Sequence, residues 1–393
     1  MWPIMTVNIT GGTSNSLPTS GGVTTIEARI DPLAKTKPTK RHVVLLIDTS
    51  GSMAGDKIDN AKNGAGSALG KLDKEDYVSV LGFDTEVQTV LPIDSWSNID
   101  QKGANKELTN IDSGGGTDIY KGLENARDQL IEHAPNDSEA VKRIILLSDG
   151  QDRFDPETYR DLAEEYNECG ISIMAAGIGG GYDEEVMLAL ANGSGGVPAD
   201  LSQEDIDAFL DETVSDTDQV IVPNPELKIH PAHGFILDDK TVFFDAPKIE
   251  QREIDHDQSP PSVGLPELQV GDPHRLTFKI LGQPKAGGLS YEIATLRVED
   301  GSGSRVAETT VDVDYTDQAG LERVDIEENR AIAEVTVGIQ DPETSETEVR
   351  EKIKEIEDQG WIDTADELKQ KLNTAEEAGG IIRVGKNRLD TED

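Results

Sequence analysis

From residue 41 to about residue 214 the chain alternates short, nearly unbroken aliphatic runs with stretches whose apolar residues recur every three or four positions. The runs at 43–48, 77–84, 87–93, 142–149, 171–179 and, with fewer apolar residues, 196–201 predict strands. The stretches 57–72, 119–132, 156–169, 183–191 and 204–214 predict helices, each preceded by polar or glycine-bearing residues able to cap it. Strands that are apolar on both faces and alternate with helices define a doubly wound, Rossmann-like α/β domain over residues 41–215. Only Thr85 and Glu86 separate the second run from the third. That gap is too short for a crossover helix, so it predicts a hairpin and one antiparallel edge strand.

Beyond residue 216 the period changes to two. Apolar and polar residues alternate through 219–229, 240–245, 274–281, 291–298 and 306–315, and 331–339 reads as one more strand. This predicts an antiparallel β-sandwich over 216–342. Residues 24–30 share its texture, so residues 1–40 are expected to supply the first sandwich strands and a linker, with the α/β domain inserted after them. The linker, 31–40, is rich in Pro, Thr and Lys, and Lys35, Lys37, Lys40 and Arg41 are expected to be a solvated basic island. From 343 to 378 the helical period returns, with Val349, Ile353 and Ile356, then Ala365, Leu368 and Leu372, on either side of Gly360. A carboxy-terminal helical hairpin lying against the rest of the protein accounts for that pattern. Residues 379–393 are expected to be a flexible tail.

Composition narrows the functional classes. With 36 basic against 77 acidic residues the formal net charge is −41, which excludes a polyphosphate such as free DNA or RNA as the expected partner. So large an excess repels itself unless counter-ions screen it, which points to a salt-rich, halophilic archaeal cytoplasm. No apolar run approaches the length needed to span a bilayer, and the first ten residues lack the pattern of a secretion signal, so a cytoplasmic protein without membrane insertion is expected. The single cysteine, Cys169, cannot form an internal disulfide.

The candidate chemistry lies in Asp48-Thr49-Ser50-Gly51-Ser52, directly after the most hydrophobic predicted strand. Ligands of open parallel sheets bind beyond the carboxyl ends of strands, so this is where a site is expected. Asp48, Ser50 and Ser52 can turn three oxygens towards one point, a set suited to a hard cation. Alone the segment is weak evidence, because Asp, Ser and Gly also crowd ordinary loops. Two further segments, Gly114-Gly115-Gly116-Thr117-Asp118 and Ser148-Asp149-Gly150, fall at positions that a doubly wound sheet would bring to the same edge. Asp118 reads as a helix cap, Asp84 as a turn residue, and Asp152 stays outside the ligand set.

These residues resemble the von Willebrand factor A (vWA) family: Asp-x-Ser-x-Ser, a Thr in a glycine-bearing loop, and an Asp after the fourth strand. The resemblance covers residues 41 to 214. It implies a complete metal-ion-dependent adhesion site in which Asp48, Ser50, Ser52, Thr117 and Asp149 hold a divalent ion, Mg²⁺ with Mn²⁺ or Ca²⁺ as alternatives. Ser50 and Ser52 would bind through their hydroxyls, Thr117 directly or through water, and Asp48 and Asp149 directly or through bridging waters. The remaining position would take an Asp or Glu of a protein partner. The domain order also resembles cytoplasmic bacterial and archaeal vWA proteins, some of which work beside MoxR-type AAA+ ATPases.

The expected function is therefore a metal-dependent adaptor, not an enzyme. No catalytic residue is assigned, because none of the six histidines is placed to serve Ser50 or Ser52 as a base, and there is neither a P-loop nor a zinc cluster. A structural protein whose occupied site binds no partner, and a metal-assisted hydrolase, are the alternatives.

Overall fold

The computed structural model describes residues 7–34, 39–137, 140–149, 154–179, 181–201, 205–246, 249–318, 322–340 and 344–377 of the 393. The expected tail at 379–393, Asp152, Gly150 and the linker lysines Lys35 and Lys37 lie outside them. The chain forms two compact units, one made of residues 1–36 and 225–393, the other of the intervening residues 37–224.

In chain order the elements are β1 (Val7–Thr13), β2 (Gly22–Pro32), β3 (Arg41–Asp48), α1 (Asp56–Leu69), β4 (Tyr77–Phe83), β5 (Val87–Ser95), α2 (Gln101–Thr109) and α3 (Ile119–Asp128). There follow β6 (Val141–Ser148), α4 (Pro156–Glu168), β7 (Ile171–Ile178), α5 (Glu184–Gly193), β8 (Pro198–Leu201), α6 (Ile206–Asp216) and β9 (Val220–Val222). The helix α2 has no counterpart in the expected set. Asp100 caps it by accepting from Lys102 N, and it presents only Ala104 and Leu108 to the core, too short a stripe to show as a period.

Within the inserted unit the sheet order is β5-β4-β3-β6-β7-β8. All neighbours run parallel except β4 and β5, which are antiparallel, as the two-residue gap requires. The strand β3 is buried along its whole length because both its faces are covered. Val43, Leu45 and Ile47 pack on one side with Ile58, Ala61 and Ala65 of α1 and Ile206 and Leu210 of α6. Val44 and Leu46 pack on the other with Leu123 of α3, Tyr159 and Leu162 of α4 and Val186 and Leu190 of α5. From β3 the chain winds outward through β4 and β5, then returns to β6 on the other flank of β3, and the crevice between β3 and β6 is the switch point of the sheet.

Arg41 corrects the expectation of a solvated basic island. It is fully buried at the start of β3, and Asp76 accepts both its backbone N–H at 3.0 Å and its Nε at 2.7 Å. The guanidinium also donates to the carbonyls of Lys71 and Val214, tying β3 to the ends of α1 and α6. A charge removed from water must be paired, and here the carboxylates of Asp76 and Asp73, the latter 3.2 Å from Nη2, supply the pairing together with the two carbonyls.

The second unit continues through β10 (Glu226–Pro231), β11 (Phe235–Leu237), β12 (Thr241–Ala246), β13 (Glu250–Glu253), β14 (Ser262–Gly264), β15 (Leu268–Gln269), β16 (His274–Gly282), β17 (Leu289–Glu299) and β18 (Arg305–Tyr315). One antiparallel sheet has the order β1-β2-β16-β12-β13, with β11 also on β16, and a second has the order β14-β10-β17-β18. Residues 331–339, expected as a strand, instead lie within the helix α7 (Val324–Gln340). Their β-branched residues favour a strand locally, but Val335 and Ile339 share one helical face. That face packs on Val349, Ile353 and Ile356 of α8 (Glu346–Asp358) and Ala365, Leu368 and Leu372 of α9 (Ile362–Glu377). Among the described residues α7 thus joins the expected pair, α8 and α9. Among the described residues no helix is long and apolar enough to cross a membrane.

Two measurements check this account. Asp76→Ala would leave the buried Arg41 guanidinium with two carbonyls and the exposed carboxylate of Asp73, and denaturant unfolding should show a loss of about 3 kcal/mol. An unchanged midpoint would mean that Asp73 or water takes over the pairing. His42, buried beside Tyr77 with ring centroids 5.1 Å apart, is pushed by burial from its ordinary 6.5 down to about 4. Its neutral form is favoured in the fold, so its contribution to stability is fully present above pH 6.5 and is lost as pH falls towards 4. His42→Phe should flatten the fall in unfolding midpoint across that window relative to the unsubstituted protein.

Candidate metal centre

The end of β3 and the end of β6 meet at the switch point, with Ile47 opposite Leu147 in register. Asp48 and Ser148 are therefore side by side, and the Ser148 hydroxyl donates to Asp48 Oδ2 at 2.5 Å. The backbone turns immediately after Asp48, and Ser50 N donates to Asp48 Oδ1 at 2.7 Å. Both carboxylate oxygens are thereby held, and the residue is 0% exposed. Burial raises the Asp48 pKa, the Ser148 and Ser50 hydrogen bonds pull it down, and the nearby Asp149 raises it further.

From Asp48 a line of oxygens runs outward. Ser50 Oγ lies 3.0 Å from Ser52 Oγ, and Ser52 Oγ donates to Asp149 Oδ1 at 2.7 Å. Thr117 is half-buried and is brought up by backbone pairing rather than by its own side chain. Gly114 N donates to Thr49 O at 2.7 Å and Gly51 N to Gly115 O at 3.3 Å, which stitches the loop before α3 onto the turn after β3. The structure joins Asp48, Ser50, Ser52 and Asp149 by side-chain or turn hydrogen bonds; none of those found among the described residues links Thr117 to the other four.

The glycines of this loop are not equivalent. Gly115 has φ of +82°, and a Cβ there would lie 2.7 Å from Asp84 Oδ2, whereas a Cβ on Gly114 would meet nothing within 4 Å. Asp84 itself makes a turn, accepting from Glu86 N at 2.8 Å, and Asp118 caps α3 by accepting from Lys121 N at 3.0 Å.

Two residues at the site had no role in the sequence reading. Ser148 stood in the segment Ser148-Asp149-Gly150 without one, and the structure places its hydroxyl on Asp48. Lys57, in the first turn of α1, forms an ion pair with Asp149 Oδ2, and 92 residues separate the two. The one signal it offered is its position: a cation is disfavoured at the positive end of a helix dipole.

The pattern Asp-x-Ser-x-Ser also recurs at Asp300-Gly301-Ser302-Gly303-Ser304, in the turn between β17 and β18. There too the middle Ser N donates to the Asp Oδ1, at 2.9 Å, and the two hydroxyls stand 3.0 Å apart. Its serines are exposed, and among the described residues no second carboxylate is hydrogen-bonded to them. Burial of Asp48 and Ser50 and the carboxylate of Asp149 are what separate the first copy from an ordinary polar turn, since Ser52 is exposed as Ser302 and Ser304 are.

An open α/β domain with hydroxyls and carboxylates gathered at its switch point is the class that fold and site define. Residues 42–212 match the profile of the von Willebrand factor type A domain, and the chain contains a domain of that family. It is 26% identical over 151 residues to the protein sll0103 of Synechocystis, covering 38% of this chain and 35% of that protein. It is 27% identical over 168 residues to human inter-alpha-trypsin inhibitor heavy chain H2, covering 41% of this chain and 18% of the heavy chain. The match therefore spans about a third or less of these relatives. Among solved structures, a von Willebrand factor type A protein from Catenulispora acidiphila superimposes with a TM-score of 0.70 at 16% identity, covering 92% of this chain and 88% of that one. The ArnB paralog VWA2 from Sulfolobus acidocaldarius gives 0.56 at 19% identity, covering 96% and 91%. At those identities the likeness is one of fold.

Substituting the loop glycines separates their roles. Gly115→Ala should cost about 1–2 kcal/mol for forcing a side chain into the left-handed region, and more if Asp84 must move. Gly114→Ala should leave the thermal midpoint nearly unchanged. Equal effects would contradict the geometry of the loop.

Proposed function

We propose that the domain is a metal-dependent protein-binding module. In this reading Asp48, Ser50, Ser52, Thr117 and Asp149 hold a divalent ion to which an Asp or Glu of a partner protein supplies the remaining ligand. The observation that carries it is the line of oxygens from Asp48 through Ser50 and Ser52 to Asp149 at the β3–β6 switch point. Type A domains bind protein partners through such an ion.

The donor set fits a hard cation, being oxygen throughout. Few charges and open positions in the set suit Mg²⁺ or Mn²⁺ better than a caged Ca²⁺. Because both oxygens of Asp48 are already engaged, its part is to orient Ser50 and balance charge from behind. Ser50, Ser52 and Thr117 contribute neutral hydroxyls, so the ion when bound would remain electrophilic and attract an incoming carboxylate.

Hydrolysis has less support. His42 opens β3, at the end of the strand opposite Asp48, and is buried against Tyr77. The formal charge of −41 sets a condition on the adaptor reading, since an acidic partner approaches against general repulsion. Binding should require both the local cation and concentrated salt, which suits a salt-rich cytoplasm. A MoxR-type AAA+ ATPase is one partner of the right kind, proposed on the domain order alone.

Pull-downs from native lysate, with Mg²⁺ and with EDTA, test the reading. Asp48→Ala and Asp149→Ala should each weaken recovery of the metal-dependent partner by about tenfold or more while the fold survives. The same partner set in every arm would sink the adaptor reading. A fall in thermal stability with every interaction intact would favour the purely structural alternative.

A further inference from the structure

We propose that Lys57 is a built-in counter-cation that competes with the divalent ion for Asp149. This rests on the reading of the site as a metal centre. The Asp149 side chain is 1% exposed, and its two oxygens have different partners: Ser52 donates to Oδ1 and the Lys57 ammonium pairs with Oδ2. A carboxylate so far removed from water needs a cation beside it, and in this structure Lys57 supplies one.

The position of Lys57 indicates that the pairing is specific. It is the second residue of α1, where the helix dipole opposes a positive charge, and Asp56 and Asp59 beside it in the same turn are of the sign the dipole favours. Its stem passes Gly179, where an added Cβ would lie 4.0 Å from Lys57 Cε, and its side chain is 23% exposed. The ammonium is thus held inward over the site rather than left free on the surface.

A divalent ion bound by Ser52 and Asp149 would stand beside this ammonium, and like charges at that range repel strongly when partly shielded from water. Metal binding must therefore push Lys57 off Asp149. Two consequences follow. Without metal the ammonium stabilises the pair of buried acids, Asp48 and Asp149, and so keeps the turn after β3 assembled. With metal the same ammonium lowers affinity, so that the site fills only when the ion is abundant or a partner carboxylate adds its own attraction. Once displaced, the ammonium is free to face that carboxylate.

The test uses the full chain. Mn²⁺ binding is followed by the loss of the free-ion EPR signal in concentrated KCl, which screens the −41 charge, with Asp149→Asn subtracted as the background of unspecific binding. Lys57→Met, which keeps the apolar stem and removes the charge, should bind Mn²⁺ about tenfold more tightly than the unsubstituted protein. Lys57→Arg should bind near the unsubstituted level. In chelator Lys57→Met should melt at a lower temperature, and Mn²⁺ should raise its midpoint further than it raises that of the parent. If Lys57→Met is too unstable to titrate, Lys57→Gln carries the same expectation. Absence of specific Mn²⁺ binding by the unsubstituted protein would overturn the metal-centre reading itself. Specific binding by that protein, with equal or weaker binding by the charge-removed variants, would overturn the role of Lys57 alone.

Discussion

The parallel pairing of β3 with β6 is the contact on which the rest of the inserted unit depends. Burying both strands on both faces leaves them nowhere to slip, because a shift of one residue would exchange the side chains that face α1 and α6 for those that face α3, α4 and α5. With the register held at Ile47 opposite Leu147, Asp48 comes to lie beside Ser148, and Asp149 follows into the same crevice. Core packing thus places Asp48 and Asp149, far apart in sequence, within one hydrogen-bonded cluster.

Charge is handled differently at the two ends of β3. At the start, Arg41 is buried against Asp76, with two carbonyls and the carboxylate of Asp73 taking further donors of the guanidinium. At the end, Asp48 is held by neutral donors alone and Asp149 by one hydroxyl and one ammonium at the edge of solvent. An acid whose counter-ion sits on a flexible stem can exchange partners, which is the property a metal site needs.

The two copies of Asp-x-Ser-x-Ser show what such a motif means physically. Both make the same local turn, with closely similar distances, because short polar side chains bond to the backbone two residues on wherever they occur. In the β17–β18 hairpin that turn is an end in itself. After β3 it is one wall of a cluster whose other walls come from residues 114–118 and 148–149.

Much of the α/β unit was legible because strands covered on both faces must be apolar throughout, and that pattern survives in any context. The hairpin β4–β5 was legible because two residues cannot span a crossover. Asp48, Ser50 and Ser52 could be read as a turn with oxygens to offer, since the turn is made locally. What the chain alone could not decide is anything that requires knowing a distant neighbour. Residues 331–339 have strand-like side chains, yet their apolar face packs on α8 and α9, and tertiary burial outweighs a preference of a few tenths of a kcal/mol per residue. Arg41 reads locally as part of a solvated basic island, yet Asp76 lies beside it, and nothing near Lys57 in the sequence assigns it Asp149 as a partner. Local pattern depends on bonded geometry and on the sign of burial, whereas the partner of a charge depends on where the chain returns, and only the folded sheet specifies that.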